Sequence, residues 1–208
     1  MDFPPLFDAV MAWPVVTANH QLNVNPAEYG WYTRPMSIPI IETQRLRLRP
    51  FVLDDSIALH NILRVEGVLQ YFPSPDPQDL ERVEKLVLQQ ISHWEEHEYG
   101  WWAVEPIGNN EIIGWSGLQY LPETDEIEIG YLLAKPYWGR GLATEGARAG
   151  LDYGFKVLNI PLIIGIVHPE NFASQSVLEN IGLKFLEQTQ YFGMECYKYI
   201  VETPVIMT

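Results

Sequence analysis

The chain has 208 residues, of which 47% are hydrophobic and 19% charged, and its net charge at pH 7 is −14. This composition indicates a globular protein, and the charge argues against nucleic acid or an anionic membrane as a partner, because Lys and Arg neutralise phosphates. An acidic surface suits a cationic partner or simply keeps a protein soluble.

The single cysteine, Cys196, excludes an intrachain disulfide, which is typical of a reducing compartment. No apolar run reaches the roughly 20 residues that a membrane-spanning helix needs. The N-terminus lacks the basic segment of a signal peptide. We therefore expect a cytoplasmic protein.

The first 42 residues differ in composition from the rest of the chain. Prolines recur at positions 4, 5, 14, 26, 35 and 39, and they interrupt any regular period. Aromatic residues such as Trp13 and Trp31 make this stretch too apolar for a solvated linker. We expect residues 1–42 to form an extended arm that packs on its own domain or on a second subunit, and residues 43–208 to form one domain.

Apolar periodicity places the elements of that domain in chain order. The predicted elements are a strand at 45–51, a helix from 54 to 63, a longer helix from 79, a hairpin of strands at 101–106 and 111–120, a strand at 126–134, a helix at 143–157, a strand at 161–167, a short helix at 173–181, and two closing strands at 183–191 and 195–201. This order predicts an α/β protein of the α+β kind, with helices packed on a mixed sheet.

The stretch "PYWGRGLATEG" (136–146) leads from a predicted strand into a predicted helix through Gly139 and Gly141. Such a turn is either a tight connection or an anion site built from backbone N–H groups at a helix N-terminus. The dinucleotide-binding fingerprint fits poorly, because Thr144 stands where its third small residue belongs. A P-loop would need a Lys-Ser or Lys-Thr pair after the glycines, and none follows.

Two segments resemble motifs of the GNAT N-acetyltransferase superfamily. The segment "WGRGLATE" (138–145) resembles its pyrophosphate-binding motif, and "VHPENFASQSVLENIGLKF" (167–185) resembles its Asn-x-x-Ser helix and the turn that follows. With "RLRLRPF" and "EIEIGY", the resemblance covers about residues 43–202 and is nearest the ribosomal-protein-alanine N-acetyltransferase branch. Leu183 stands where the family usually has Phe, and Phe185 is the candidate to fill that place in the core.

The resemblance implies a GNAT fold: a mixed, mostly antiparallel sheet of six to seven strands with splayed central parallel strands and about four helices. It implies an acyltransferase that moves the acetyl group of acetyl-CoA to a primary amine, by direct attack through a tetrahedral intermediate, without a metal. The amine is left open among a protein N-terminus, an amino acid, a polyamine and an aminoglycoside. A homodimer is an open alternative, and the rival function is a non-catalytic CoA-binding or assembly module.

The resemblance also implies a set of cofactor-binding residues. The backbone of Tyr131, Leu132 and Leu133 is expected to pair with pantetheine and the acetyl carbonyl. The pyrophosphate is expected at the turn and the first helical turn, formed by Trp138, Gly139, Arg140, Gly141, Leu142, Ala143 and Thr144. Asn171 is expected to bind the pantetheine arm, although Asn171 and Ser174 can also simply cap the helix.

Three residues are candidates for the catalytic proton transfers. Glu128 interrupts an apolar strand and is the candidate base, with Glu126 on the same face as the reserve. His168 is the alternative base or relay, because it ends a strand beside the cofactor motif and histidine titrates near neutral pH. Ser174 is the candidate donor to the departing thiolate, since Leu178 occupies the position where many relatives carry a tyrosine acid. His93 and His97 have the i, i+4 spacing of zinc ligands, but no third ligand is evident.

Overall fold

A mixed sheet of eight strands runs through residues 38–203, which are the residues that this computed structural model describes. The strands are β1 Ile41–Glu42, β2 Leu46–Arg49, β3 Trp101–Pro106, β4 Gly114–Leu121, β5 Glu126–Leu133, β6 Leu162–Val167, β7 Lys184–Tyr191 and β8 Met194–Glu202. The α-helices of the same region are α1 Asp55–Leu63, α2 Leu80–His97, α3 Leu142–Lys156 and α4 Phe172–Asn180. The strand order across the sheet is β1-β2-β3-β4-β5-β6-β8-β7.

Strands β5 and β6 pair in parallel, whereas the other neighbouring strands of this sheet pair antiparallel. One residue pair, Glu128 with Ile164, is in register between β5 and β6. Beyond that pair the two strands separate, which confirms the mixed sheet with splayed central strands. The sheet has one strand more than the six to seven predicted, because the two residues of β1 are too few to show a period-2 pattern.

The helices cover the two faces of the sheet in pairs. Helices α1 and α2 lie on one face, where Val83 and Val87 pack with Trp101, Trp115 and Leu132 of the sheet. Helices α3 and α4 lie on the other face, where the buried residues include Ala147, Leu151, Ile129, Leu118 and Leu178. Alternation along β5 therefore sends Ile129 to the α3 face and Leu132 to the α2 face.

The helix starts show how far capping can be predicted from sequence. Asp79 caps α2 as expected, since its Oδ1 accepts a hydrogen bond from the Arg82 backbone N–H at 2.8 Å. Asp54 precedes α1 without any side-chain cap bond. Its neighbour Asp55 accepts from the Val52 N–H at 2.9 Å and pairs with Arg49 at 2.7 Å, so it joins the helix start to strand β2.

The expectation that Phe185 fills the core position usually held by Phe is wrong. Leu183 itself is buried at 2% exposure, whereas Phe185 is 54% exposed and meets Tyr197 edge-on. Phe185 lies on β7, an edge strand with a register shift between Phe185 and Glu187. The register shift changes which side chains of β7 face the core. Leu183, rather than Phe185, therefore fills the buried position.

Most of the predicted arm, residues 1–37, lies outside the described residues, so its packing and any second subunit remain predictions. The part that is described contacts the domain: Ile38 packs against the core, and the Trp102 indole N–H donates to the Pro39 carbonyl at 2.8 Å. Ile41 and Glu42 pair with Leu48 and Arg47 in the sheet. Within residues 38–203, no helix is both long enough and apolar enough to cross a membrane.

Candidate active site

A cavity of about 680 Å³ opens where β5 and β6 separate. One end is formed by the turn before α3, the first turn of α3 and the start of α4. The other end is formed by the aromatic residues of β3 and β4 and the β7–β8 hairpin. The α1–α2 loop lies along the cavity, where Tyr71 stacks on His168. Glu128 lies on its wall, on the strand that links the two ends.

The turn before α3 lines this cavity with backbone N–H groups. Gly139 and Gly141 have φ of 69° and 73°, a left-handed conformation that other residues adopt only with strain. None of the backbone N–H groups of residues 139–144 donates a hydrogen bond within the described region. These free N–H groups and the positive end of the helix dipole suit a pyrophosphate.

Packing does not explain the two glycines. A Cβ atom at Gly139 would meet nothing within 4 Å, and one at Gly141 would touch only the Arg45 guanidinium at 3.6 Å. Gly139, Gly141 and the next three residues, Leu142, Ala143 and Thr144, line the cavity. The left-handed φ of both residues, rather than close packing, therefore accounts for the glycines.

An ion pair behind the turn fixes the start of α3. The Glu145 carboxylate accepts from Thr43 Oγ1 at 2.6 Å and from Arg45 Nε at 2.7 Å, and Arg45 Nη1 donates to the Arg140 carbonyl at 2.9 Å. Burial raises the pKa of Glu145, but the bonds from Thr43 and Arg45 outweigh burial and keep the pKa below its usual value. The charge of Glu145, the carboxylate nearest the turn in sequence, is therefore neutralised by Arg45.

Trp138 and Arg140 lie differently with respect to the cavity. Trp138 lines it, is 46% exposed, and donates its indole N–H to the Leu133 carbonyl at 2.5 Å. The Arg140 side chain lies over the Tyr137 ring at 5.7 Å and is not part of the cavity wall. A phosphate contact from Arg140 would require its side chain to leave that ring.

The backbone of Tyr131, Leu132 and Leu133 forms one open edge of the cavity. On one side these residues pair with Ser116, Trp115 and Gly114 of β4. On the other side no residue of β6 is in register with them. The family resemblance implies that such an open edge binds pantetheine, which stays a prediction, and Trp138 already engages the Leu133 carbonyl.

Asn171 and Ser174 meet at the start of α4, but in different roles. Asn171 Oδ1 accepts from the Ser174 backbone N–H at 3.1 Å, so Asn171 caps the helix. Ser174 Oγ lies 2.8 Å from the Tyr131 hydroxyl, which also donates to the Ser174 carbonyl at 3.0 Å. The sequence pointed only to the Tyr131 backbone, because a contact between β5 and α4 leaves no local pattern.

Glu128 is only partly exposed, and burial raises its pKa to about 8. A hydrogen bond from the Ile166 backbone N–H opposes this effect of burial, and repulsion from Glu126 adds to it. The carboxylate thus titrates near neutrality beside the point where β5 and β6 separate.

Glu126, the reserve base, is engaged elsewhere. Its carboxylate accepts from Lys198 Nζ and from the Tyr191 hydroxyl, each at 2.5 Å. Burial raises its pKa, but these two bonds outweigh burial and hold the pKa below its usual value. A paired carboxylate of low pKa is a poor proton acceptor, so the structure removes Glu126 from the candidates.

His168 lines the cavity and is held in place from two sides. Its ring stacks on Tyr71 at 5.3 Å, and its Nδ1 accepts from the Glu170 backbone N–H at 3.2 Å. Because this bond occupies Nδ1, Nε2 is the ring nitrogen left for a bound molecule.

Two further titratable side chains are buried. Burial raises the pKa of Cys196 to about 11, so it stays a thiol. His93 Nδ1 contacts the Tyr99 carbonyl at 2.8 Å, and burial lowers its pKa to about 4. Within residues 38–203, no group of three or more His, Cys, Asp or Glu side chains is placed to hold a metal ion.

Sequence reasoning missed the aromatic end of the cavity. The Trp101 and Trp115 rings stack there, with centroids 3.7 Å apart and planes inclined by 10°. Both are buried and line the cavity, together with Gln119, which lies opposite Glu128 in the sheet. In the sequence these residues appear as ordinary strand core, because the cavity beside them arises only from the separation of β5 and β6.

Comparison with known proteins identifies the class. The acetyltransferase (GNAT) domain family matches residues 45–184, so the chain belongs to this family of acetyltransferases. YkkB, an uncharacterised protein of Bacillus subtilis, is 31% identical over 151 residues, which cover 69% of this chain and 84% of YkkB. The spermidine N(1)-acetyltransferase of Escherichia coli K12 is 26% identical over 141 residues, covering 66% of this chain and 72% of that protein.

Solved structures agree with this assignment. An acetyltransferase from Agrobacterium tumefaciens superimposes with a TM-score of 0.71 at 28% identity, covering 83% of this chain and 99% of the other. A ribosomal L7/L12 α-N-protein acetyltransferase in complex with coenzyme A gives a TM-score of 0.68 at 19% identity, with 79% and 98% coverage. At that identity the likeness shows the fold alone. The ribosomal-protein branch is thus one of several neighbours.

Proposed function

We propose that this chain transfers the acetyl group of acetyl-CoA to a primary amine, with Glu128 as the general base. The observation that supports this proposal most directly is the position of Glu128. It lies on one wall of a single cavity whose far end is the anion-binding turn. A pyrophosphate at the turn would leave the gap between β5 and β6 for the pantetheine arm and its thioester.

Glu128 has the protonation behaviour that the reaction needs. An α-amino group has a reference pKa of about 8, so at neutral pH it is mostly an ammonium ion and cannot attack. The pKa of Glu128 is also about 8, so the ionised carboxylate becomes its main form only as pH rises through that value. In that form Glu128 can take up the proton as the nitrogen attacks the acetyl carbon, and transfer between the two groups is nearly balanced.

The remaining charges of the reaction also have partners. The open backbone edge of β5 supplies N–H groups for the oxygen that becomes negative when the carbon turns tetrahedral. When the C–S bond breaks, the thiolate needs a proton, and Ser174 Oγ and the Tyr131 hydroxyl stand 2.8 Å apart on the cavity wall. Burial raises the pKa of Tyr131, so its hydroxyl stays protonated and can stabilise the thiolate by a hydrogen bond.

Tyr131→Phe and Ser174→Ala test the assignment of the acid. If the pair protonates the thiolate, each variant lowers kcat by roughly 10²-fold while the Kd for CoA stays within a few-fold of wild type. Asn171→Ala is the matched control, because it removes the cap of the same helix and leaves both hydroxyls in place. Steady-state kinetics and calorimetry would check this. A kcat loss in the Asn171 variant as large as in the other two would indicate that only helix placement matters.

The rival function is a CoA-binding module without catalysis. Release of free thiol from acetyl-CoA, measured with and without a panel of primary amines, separates the two. The proposal predicts CoA binding and thiol release that depends on the amine. Binding with no amine-dependent release would favour the rival.

A further inference from the structure

The aromatic end of the cavity lies beside Glu128 on the same face of the sheet. Glu128 and Gly130 are two residues apart on β5, so both face the side covered by α2. A Cβ atom at Gly130 would lie 3.0 Å from Trp115 Cζ3 and 3.7 Å from Trp101 Nε1. The Trp101 indole N–H therefore lies next to Gly130, which is the next residue after Glu128 on this face of β5.

Trp101 is held rigidly in this position. It stacks on Trp115, and its backbone carbonyl accepts a hydrogen bond from the Trp94 indole at 3.0 Å. It is only 4% exposed, yet its Nε1 has no hydrogen-bond partner among residues 38–203. A buried N–H group without a partner is rare in proteins, and here it belongs to a ring that lines a cavity. An oxygen atom of a bound molecule can satisfy it.

The charges of the cavity restrict which molecules can supply that oxygen. The described residues that line it include Glu128 and Glu170 but neither Lys nor Arg. Glu170 is exposed and belongs to the loop before α4, where its backbone N–H donates to His168 Nδ1. Beside Glu128, a free carboxylate would meet a like charge, and a second ammonium group would have to share that one carboxylate.

The rest of the aromatic end is largely apolar, with Gln70, Gln119 and the His168 ring that stacks on Tyr71 as its polar members. Tyr71, Phe72 and Pro73 of the α1–α2 loop and Phe192 and Met194 of the β7–β8 hairpin complete it. Such a surface favours a ligand with a large apolar group, because binding removes that group from water.

We propose that the acceptor is a monoamine with an apolar body and a neutral oxygen that accepts a hydrogen bond from Trp101 Nε1. The inference rests on the proposed function and narrows its substrate class. It separates this chain from polyamine acetylation, although a spermidine acetyltransferase is among its relatives. It also excludes free amino acids as preferred acceptors.

Four amines test this inference: phenylalanine amide, phenethylamine, phenylalanine and spermidine. The amide has the amine, the apolar body and the neutral oxygen; phenethylamine lacks the oxygen, phenylalanine carries a carboxylate, and spermidine is a polycation. We expect kcat/KM to be highest for the amide, by about 10-fold over phenethylamine, as for one hydrogen bond. Spermidine and phenylalanine should be poorer than both.

Trp101→Phe should lower the ratio of kcat/KM for the amide over phenethylamine toward one, because it removes the N–H group and keeps an aromatic ring. Trp102→Phe is the matched control: Trp102 is the next residue on β3, its N–H donates to Pro39, and it does not line the cavity. That variant should keep the wild-type ratio. Since a ratio of two substrates is compared, a partial loss of folded protein cancels.

The outcomes separate this inference from the proposed function. Preference for spermidine or phenylalanine, or an unchanged ratio in Trp101→Phe, would overturn the inference and leave acetyl transfer standing. No turnover with any amine, while CoA still binds, would overturn the proposed function and this inference with it.

Discussion

Replacing Glu128 with Gln is expected to lower kcat at neutral pH by roughly 10²-fold or more while CoA affinity is retained, within the usual range for loss of a general base. Gln has nearly the same shape but cannot take up a proton. The loss should shrink as pH rises above about 8, where Glu128 is already ionised and solvent supplies more of the neutral amine. A pH–rate profile of both proteins with one accepted amine is the measurement. Equal rates at neutral pH would remove Glu128 from the mechanism.

Glu126→Gln is the matched control for this variant. Glu126 lies on the same strand and the same face, but Lys198 and Tyr191 hold its carboxylate. Its replacement should reduce stability through the lost ion pair and leave kcat within a few-fold of wild type. A loss of kcat as large as that of Glu128→Gln would mean that charge on the strand, rather than proton transfer, is what the reaction needs.

The raised pKa of Glu128 can be checked without any substrate. Its pKa is about 8 in the folded chain and 4.5 in the reference state, so between these values the folded carboxyl is protonated and the unfolded one is ionised. Wild-type stability should therefore fall, relative to Glu128→Gln, as pH rises from 4.5 to about 8, and level off above that. Melting temperatures of both proteins across this range measure it. A constant difference would show that the pKa is not raised.

Gly141→Glu should abolish CoA binding, with an affinity loss of about 100-fold or more if one or two phosphate contacts are lost. The substitution places a negative charge at the anion-binding turn and strains a residue whose φ is 73°. Calorimetric titration with CoA is the measurement. A folded variant with unchanged affinity would show that the turn is only a connection.

Gly108→Glu is the control that carries the same strain and charge elsewhere. Gly108 lies in the β3–β4 turn with φ of 84°, a Cβ there would meet nothing within 4 Å, and it does not line the cavity. This variant should lose stability but keep its CoA affinity. Gly141→Asn adds a second comparison, because Asn tolerates the left-handed conformation and is neutral. We expect its CoA affinity to lie between those of wild type and Gly141→Glu.

Much of the fold could be predicted from the sequence because its elements carry local signals. The Asp79 cap, the continuous apolar run of β6 and the glycine turn before α3 each depend on neighbouring residues. Strand β1 has no such signal, and its two residues are held by pairing with β2. The burial of Leu183 and the exposure of Phe185 likewise could not be predicted from sequence, since both depend on the irregular register of an edge strand.

The candidate site likewise has parts that the sequence could locate and parts that it could not. The anion-binding turn is contiguous in sequence, so a motif could locate it. Alternation placed Glu126 and Glu128 on one face, but only the contacts of Lys198 and Tyr191 with Glu126 separate their roles. The Tyr131–Ser174 contact and the unpaired Trp101 N–H arise between elements distant in sequence, where one chain alone offers no pattern.

The central claim is that this cavity couples the cleavage of acetyl-CoA to the acetylation of an amine. Its most direct test measures both products in one reaction, with free CoA thiol determined by absorbance and the acetylated amine by mass spectrometry, using acetyl-CoA labelled in the acetyl group. We expect one labelled amide for each thiol released, and a parallel loss of both products in Glu128→Gln. Thiol released without labelled amide, or CoA binding that yields neither product with any amine, would contradict it.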